Sequence, residues 1–162
     1  MVGLLLSALC FFIAYLLSKS MQKDVEEREK VEGVIMVDLL TKYLGGFPTV
    51  SSDNKTVELT VKDNGVVFNF LGRKPMQFIS KKDLLNAEVR SESQITEDIS
   101  LGRVLAFGVV GLAMKKKNTV NKNYLVVSYN DKGQKRDVIM ETSPHLTDKI
   151  AVRIRELIRG IY

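Results

Sequence analysis

Met1 to Ser18 carries no charged side chain, and Leu4, Leu5, Leu6, Leu9, Phe11, Phe12, Ile13, Tyr15, Leu16 and Leu17 fill it with apolar bulk. A helix of that length runs about 27 Å, close to the roughly 30 Å hydrocarbon thickness of a bilayer. Beyond Ser7 and Ser18 it offers no polar face, so the pattern predicts a short transmembrane helix over 1–18 rather than a buried core helix. Lys19 follows at once and is long enough to snorkel to the interface. Residues 19–32 then turn charge-dense and Pro-free. They read as a helical stalk, with Glu26 and Lys30 at the favourable four-residue spacing.

From Gly33 the texture changes to short β-rich runs separated by turn clusters. Val34 to Leu44 is apolar and fits helix or strand; Gly45-Gly46-Phe47-Pro48 ends it. Thr56 to Val61 alternates, placing Val57, Leu59 and Val61 on one face. Asp63-Asn64-Gly65 signals a hairpin turn, with Asn64 and Gly65 as the pair suited to positive φ. Val66 to Leu71, Met76 to Ile79 and Leu84 to Arg90 continue as strands, and Tyr124 to Tyr129 meets Val138 to Glu141 across Asn130-Asp131-Lys132-Gly133. The chain closes on an amphipathic helix. Ser143 is placed to cap it, Pro144 sits in its first turn, and Leu146, Ile150, Ile154, Leu157, Ile158 and Ile161 form its apolar stripe. Arg153, Arg155 and Arg159 load its C-terminal half, where cations favour the helix dipole. Strands first and one such helix last predict an α+β domain over 33–162 with an antiparallel sheet. Val104 to Met114 is eleven uncharged residues, too short to span a bilayer as a helix, and reads as buried strand, buried helix or a membrane-contacting patch.

Composition narrows the chemistry. One Cys among 162 residues excludes an intrachain disulfide, and one His excludes any mechanism or metal site that needs two. His145 has no Cys or acidic partner at ligand spacing, so it reads as a solvated residue near the helix start. Glu97-Asp98 and Glu26-Glu27 are adjacent acids, but neighbouring positions point apart. Gly108 and Gly111 lack the Lys-Ser/Thr that a phosphate loop requires. The expectation is no enzyme activity, no cofactor and no metal.

Charge is informative in its distribution. The whole chain is +5, yet residues 33–162 hold 20 Lys and Arg against 14 Asp and Glu, or +6. Lys115, Lys116 and Lys117 form the densest cluster, with Lys122 nearby; Arg73-Lys74 and Lys81-Lys82 are smaller pairs on turns. The plainer reading is solvated turn lysines that keep an edge or loop soluble, but near an anionic leaflet each cation adds about 1 kcal/mol of attraction. Lys115, Lys116, Lys117, Lys122, Arg73 and Lys74 are therefore the candidate contacts for anionic lipid or a protein partner. Nucleic acid is not expected, because the aromatics fall in strand patterns rather than among the cations.

The order of pieces resembles the bacterial PH-like (pleckstrin-homology-like, GRAM-like) domains. The residues that carry the likeness are Leu44-Gly45-Gly46-Phe47-Pro48, Asp63-Asn64-Gly65, Phe78-Ile79 before Lys82-Asp83-Leu84, and Gly102-Arg103-Val104 with the apolar run up to Lys115-Lys116-Lys117. Tyr124-Leu125-Val126-Val127 and the final helix complete it, over roughly residues 33–160. The resemblance implies a bent antiparallel sheet, barrel-like and capped by the C-terminal helix, that binds proteins or lipids and can self-associate. Phosphoinositide-binding members place a basic cluster at the first hairpin. Here Lys62 stands alone beside that turn, which counts against inositol-phosphate recognition.

Location follows from asymmetry. No basic side chain precedes residues 1–18, while Lys19, Lys23, Arg28 and Lys30 follow them, so the positive-inside rule puts the N-terminus outside and the domain in the cytoplasm. Ser18-Lys19-Ser20 is a small-x-small triplet, so the alternative is an envelope protein released by cleavage near Ser20. The expected function is a non-enzymatic, membrane-anchored binding or scaffolding module, with direct recognition of anionic lipid as the alternative on the same fold.

Overall fold

The computed structural model describes residues 2–30, 33–50, 55–70, 77–91, 94–95 and 123–161, apart from the side chains of residues 2–9, 21, 25, 28 and 29. A single helix, α1, covers Val2–Glu29. Every described side chain from Cys10 to Ser20 is exposed, Phe11 by 78%. Among the described residues no helix is long and apolar enough to cross a membrane; the side chains of residues 1–9, half of the expected span, lie outside that set. Further along, Lys23 and Glu27 pair at 3.8 Å across one turn.

Seven strands follow among the described residues: β1 (Val34–Gly45), β2 (Lys55–Lys62), β3 (Gly65–Phe70), β4 (Gln77–Ser80), β5 (Leu84–Ser91), β6 (Asn123–Asp131) and β7 (Gln134–Glu141). One 3-10 turn, Lys81–Asp83, joins β4 to β5, and the helix α2 (Thr147–Arg159) ends the chain. The architecture is mixed α+β, one antiparallel sheet in the order β4-β3-β2-β1-β7-β6-β5. Two meanders thus meet at β1. That strand pairs with β2 from Val34 to Tyr43 and with β7 from Lys42 to Gly45. Register shifts at Val34/Met36, Asp38/Thr41 and Tyr43/Gly45 bend it between its two partners, as extra residues in a ladder do.

The inner face gathers one core from β1 to β7 and α2, with Tyr43, Val57, Leu59, Phe68, Leu125, Val127 and Met140 among its members. From α2 it takes Ile150, Ala151, Ile154 and Leu157, spaced to lie on one helix face. Each large side chain so buried contributes about 1.5–3 kcal/mol relative to exposure. The opposite face holds a smaller cluster of Leu44, Tyr124, Val126, Ile139 and Ile95. That second cluster explains why β1 and β6 lack clean alternation: side chains on both faces are covered. Glu58 and Thr60 of β2 are buried as well, so the alternation there hides two polar residues rather than exposing them.

Three local expectations are corrected. The β2–β3 turn centres on Asp63-Asn64, since Lys62 pairs with Gly65, and neither central residue has positive φ. Gly65 is instead required by proximity: a Cβ there would lie 2.3 Å from the Ile79 carbonyl oxygen and 2.7 Å from the Phe78 ring. The final helix starts at Thr147, and Ser143 does not cap it. A buried carboxylate competes for that serine: Asp38 accepts from the Ser143 N–H at 3.0 Å and its hydroxyl at 3.1 Å, besides the Leu40 N–H at 3.1 Å. Ser143 to Leu146 therefore forms a separate turn, closed by the Leu146 N–H on the Ser143 carbonyl at 2.8 Å. At the other end the stripe stops short of Ile161, which is 60% exposed.

Candidate functional site

Phe78 on β4 and Tyr129 on β6 stand five strands apart in the sheet order, about 24 Å if the sheet were flat. Both nevertheless line one cleft of about 490 Å³. The sheet therefore coils until its β4 side approaches the β6–β7 hairpin. Phe47, in the connection after β1, fills the angle between them. Its ring meets Phe68 edge-on at 5.0 Å, Tyr43 in a stack at 5.7 Å and Tyr129 at 5.8 Å. The chain can enter that angle because Gly45 and Gly46 take φ of 153° and 123°; a Cβ on Gly46 would sit 2.2 Å from the Asp137 carbonyl oxygen.

Two phenols hold this connection in place. Tyr43 accepts the Phe47 N–H at 2.8 Å and donates to the Val50 carbonyl at 3.3 Å. Tyr129 donates to the Gly46 carbonyl at 3.4 Å. Burial raises the pKa of Tyr43, opposed by the bond from Phe47. Burial first, and the neighbouring Asp131 carboxylate second, push Tyr129 up to about 12. Both phenols are neutral donors at physiological pH, suited to positioning backbone rather than to accepting protons.

The polar wall comes from the β6–β7 hairpin. Asp131 and Gln134 pair across a two-residue turn of Lys132 and Gly133, with φ of 52° and 89°. Asn130 Oδ1 accepts the Gly133 N–H at 2.8 Å and fixes the turn. Lys132 is the one non-glycine residue with positive φ among those described, a conformation that costs an L-residue about 1 kcal/mol. Arg136 Nε lies 2.7 Å from Asp131 Oδ2. That pairing offsets one cation and leaves Lys132, exposed at the mouth, as the surplus positive charge. Thr49, Gln77 and Gln134 add neutral polar groups, and Pro48 and Ile79 apolar ones. This arrangement can bind an extended ligand with apolar and acidic parts.

Of the cations singled out from the sequence, Arg73, Lys74, Lys115, Lys116, Lys117 and Lys122 lie outside the described residues, as does Val104 to Met114. Lys81 and Lys82 form the 3-10 turn, where the Lys81 N–H donates to the Asn64 carbonyl at 2.8 Å. His145 is exposed in the turn before α2, and among the described residues no three His, Cys, Asp or Glu gather to hold a metal. The cleft residues Phe47, Phe78, Tyr129, Lys132 and Arg136 were not legible as a site. Asn130-Asp131-Lys132-Gly133 announces a turn, but nothing local shows that the turn faces Phe78. No protein-family model matches the chain, and none of the curated proteins compared with it matches in sequence.

Proposed function

We propose that the chain is a non-enzymatic, membrane-anchored binding module: a PH-like domain held at the cytoplasmic face by residues 1–18, taking its partner in the cleft between β4 and the β6–β7 hairpin. The observation that carries this reading is the cleft itself. Three segments that are distant in sequence converge on it, and it keeps a half-exposed aromatic and an uncompensated lysine where a purely structural corner would bury or omit them. The strand order and the helix that closes the core support the PH-like reading. For the anchor, the support is the uncharged start of α1 and the exposure of Phe11, Phe12, Tyr15 and Leu17, a surface too apolar to leave in water.

The anchor and the cleft are tested separately. The chain should sediment with membranes after a salt wash and be released by deletion of residues 1–18. A cysteine placed at 162, with Cys10→Ser, should resist impermeant maleimide in intact cells. Labelling there, or a mature mass lacking residues 1–20, would replace the anchored cytoplasmic module with an envelope protein. For the cleft, partners captured by the full chain should disappear with Lys132→Glu; the same partners recovered in full would remove the cleft from the function.

Anionic lipid is a second reading, favoured by one connection: the segment carrying Arg73 and Lys74 leaves β3 after Phe70 and rejoins β4 at Gln77, a cleft residue. Flotation of the purified chain with phosphatidylglycerol vesicles, lost in Arg73→Glu/Lys74→Glu and in high salt, would establish it.

A further inference from the structure

We infer that the cleft takes an extended peptide segment of a partner protein, added as a strand to the open edge of β4. The inference rests on the cleft being the binding site and names what it binds. β4 ends the sheet order, so one side of it has no strand beyond it among the described residues.

The ladder shows which backbone groups that side presents. Gly65 pairs with Ser80 and Val67 with Phe78, in the same register as the bond from the Lys81 N–H to the Asn64 carbonyl. In an antiparallel pair, residues that exchange hydrogen bonds alternate with residues whose groups point outward. Asn64–Lys81 is a bonded pair, so Val66–Ile79 and Phe68–Gln77 are bonded pairs as well. Phe78 is then left with its N–H and C=O directed away from β3, and Ser80 with its N–H. Phe78 is 50% exposed and lines the cleft. Main-chain groups of an edge and a pocket for alternate side chains are what strand addition requires.

The walls set the peptide's chemistry. Phe47, Tyr129 and Phe78 offer an apolar seat, and Lys132 is the charge left over once Asp131 and Arg136 have paired. Side chains two positions apart on an extended strand share a face. A peptide with an apolar residue and an acidic residue at that spacing presents both on one face, the form the proposed strand would take.

The test uses the full chain in nanodiscs and a random linear peptide library displayed on phage. Enriched peptides should carry an Asp or Glu two positions from a large apolar residue. Phe78→Ala and Ser80→Pro should each weaken the best peptide by about tenfold or more. Ser80 already has φ of −65°, so the proline fits the fold while deleting the edge donor. Lys132→Glu should weaken it too, and a peptide with the acid changed to Lys should regain affinity for that variant. Enrichment without that pattern, or affinity within about twofold of wild type in both Phe78→Ala and Ser80→Pro, would overturn the added strand. If captured partners depend on Lys132 but ignore Ser80→Pro and Phe78→Ala, the cleft stands and the peptide strand falls. If they ignore all three, both fall.

Discussion

At one edge of the sheet β5 has α2 packed against it, and Arg155 of that helix donates from Nη1 to the Ala87 carbonyl at 2.8 Å. At the other edge β4 runs only four residues, with a half-exposed phenylalanine in its middle and no strand beyond it among the described residues. An uncovered edge is a template for unwanted pairing, and proteins usually shorten, charge or cover it. Among the described residues the longer edge, eight residues, has a helix packed against it, and the shorter one has no strand beyond it and lies beside a cleft. On the proposed reading of the cleft, the contrast separates stability from recognition. Substitutions at the covered edge should cost folding free energy, and those at the open edge should cost binding with little effect on folding.

The largest effect should come from the helix that covers β5. Ile154 is fully buried in the core, and Ile154→Ala should destabilise the protein by about 2–5 kcal/mol through lost burial and a cavity. Urea unfolding followed by circular dichroism would show it as a lower midpoint; an unchanged midpoint would mean that α2 contributes little to the core. Arg155→Ala should cost about 1.5–3 kcal/mol, the range for a hydrogen bond made by a charged group. It should also raise concentration-dependent association in sedimentation, because it uncovers part of the β5 edge. No gain in association would show that packing by α2, not the guanidinium, protects that edge.

Tyr129 sharpens the comparison from the cleft side. Below pH 10, Tyr129→Phe should cost no more than about 1 kcal/mol, the value of one hydrogen bond. Its folded-state pKa of about 12 stands above the unfolded value of 10.0. Between those pH values the unfolded chain releases a proton that the folded chain keeps, so wild-type stability falls as pH rises, by up to about 1.4 kcal/mol per unit. Tyr129→Phe lacks that slope. The difference between the two proteins should be flat below pH 10 and shift in favour of the variant above it. A difference that stays constant to pH 12 would mean that the phenol is open to solvent.

These sites differ in how far the sequence reveals them. The alternation of Val57, Leu59 and Val61 and the spacing of Ile150, Ile154 and Leu157 mark strand and helix because each depends on neighbours a few residues away. β1 is ambiguous because apolar side chains cover both of its faces, Tyr43 in one core and Leu44 in the other. The start of α2 is misread for a long-range reason: the competitor for Ser143 is Asp38, 105 residues away. The cleft is hidden in the same way. Local charge density points to Lys115, Lys116 and Lys117, which lie outside the described residues, whereas Lys132 shares the cleft with Phe47 and Phe78 only through the coiling of the sheet.

The smallest effect expected on folding is the most discriminating. Ser80→Pro places the ring where φ is already −65° and ψ is 147°, at the end of an edge strand whose register directs that N–H outward. Nothing in the ladder is lost, so stability should stay within about 0.5 kcal/mol of wild type, as for substitutions that touch no buried feature. β5 has no equivalent position at Ala87, which is fully buried and whose carbonyl already serves Arg155. If urea midpoints show Ser80→Pro to be destabilised as much as Arg155→Ala, then the Ser80 N–H is engaged inside the fold. The β4 edge would then be closed, and the difference between the two edges would disappear with it.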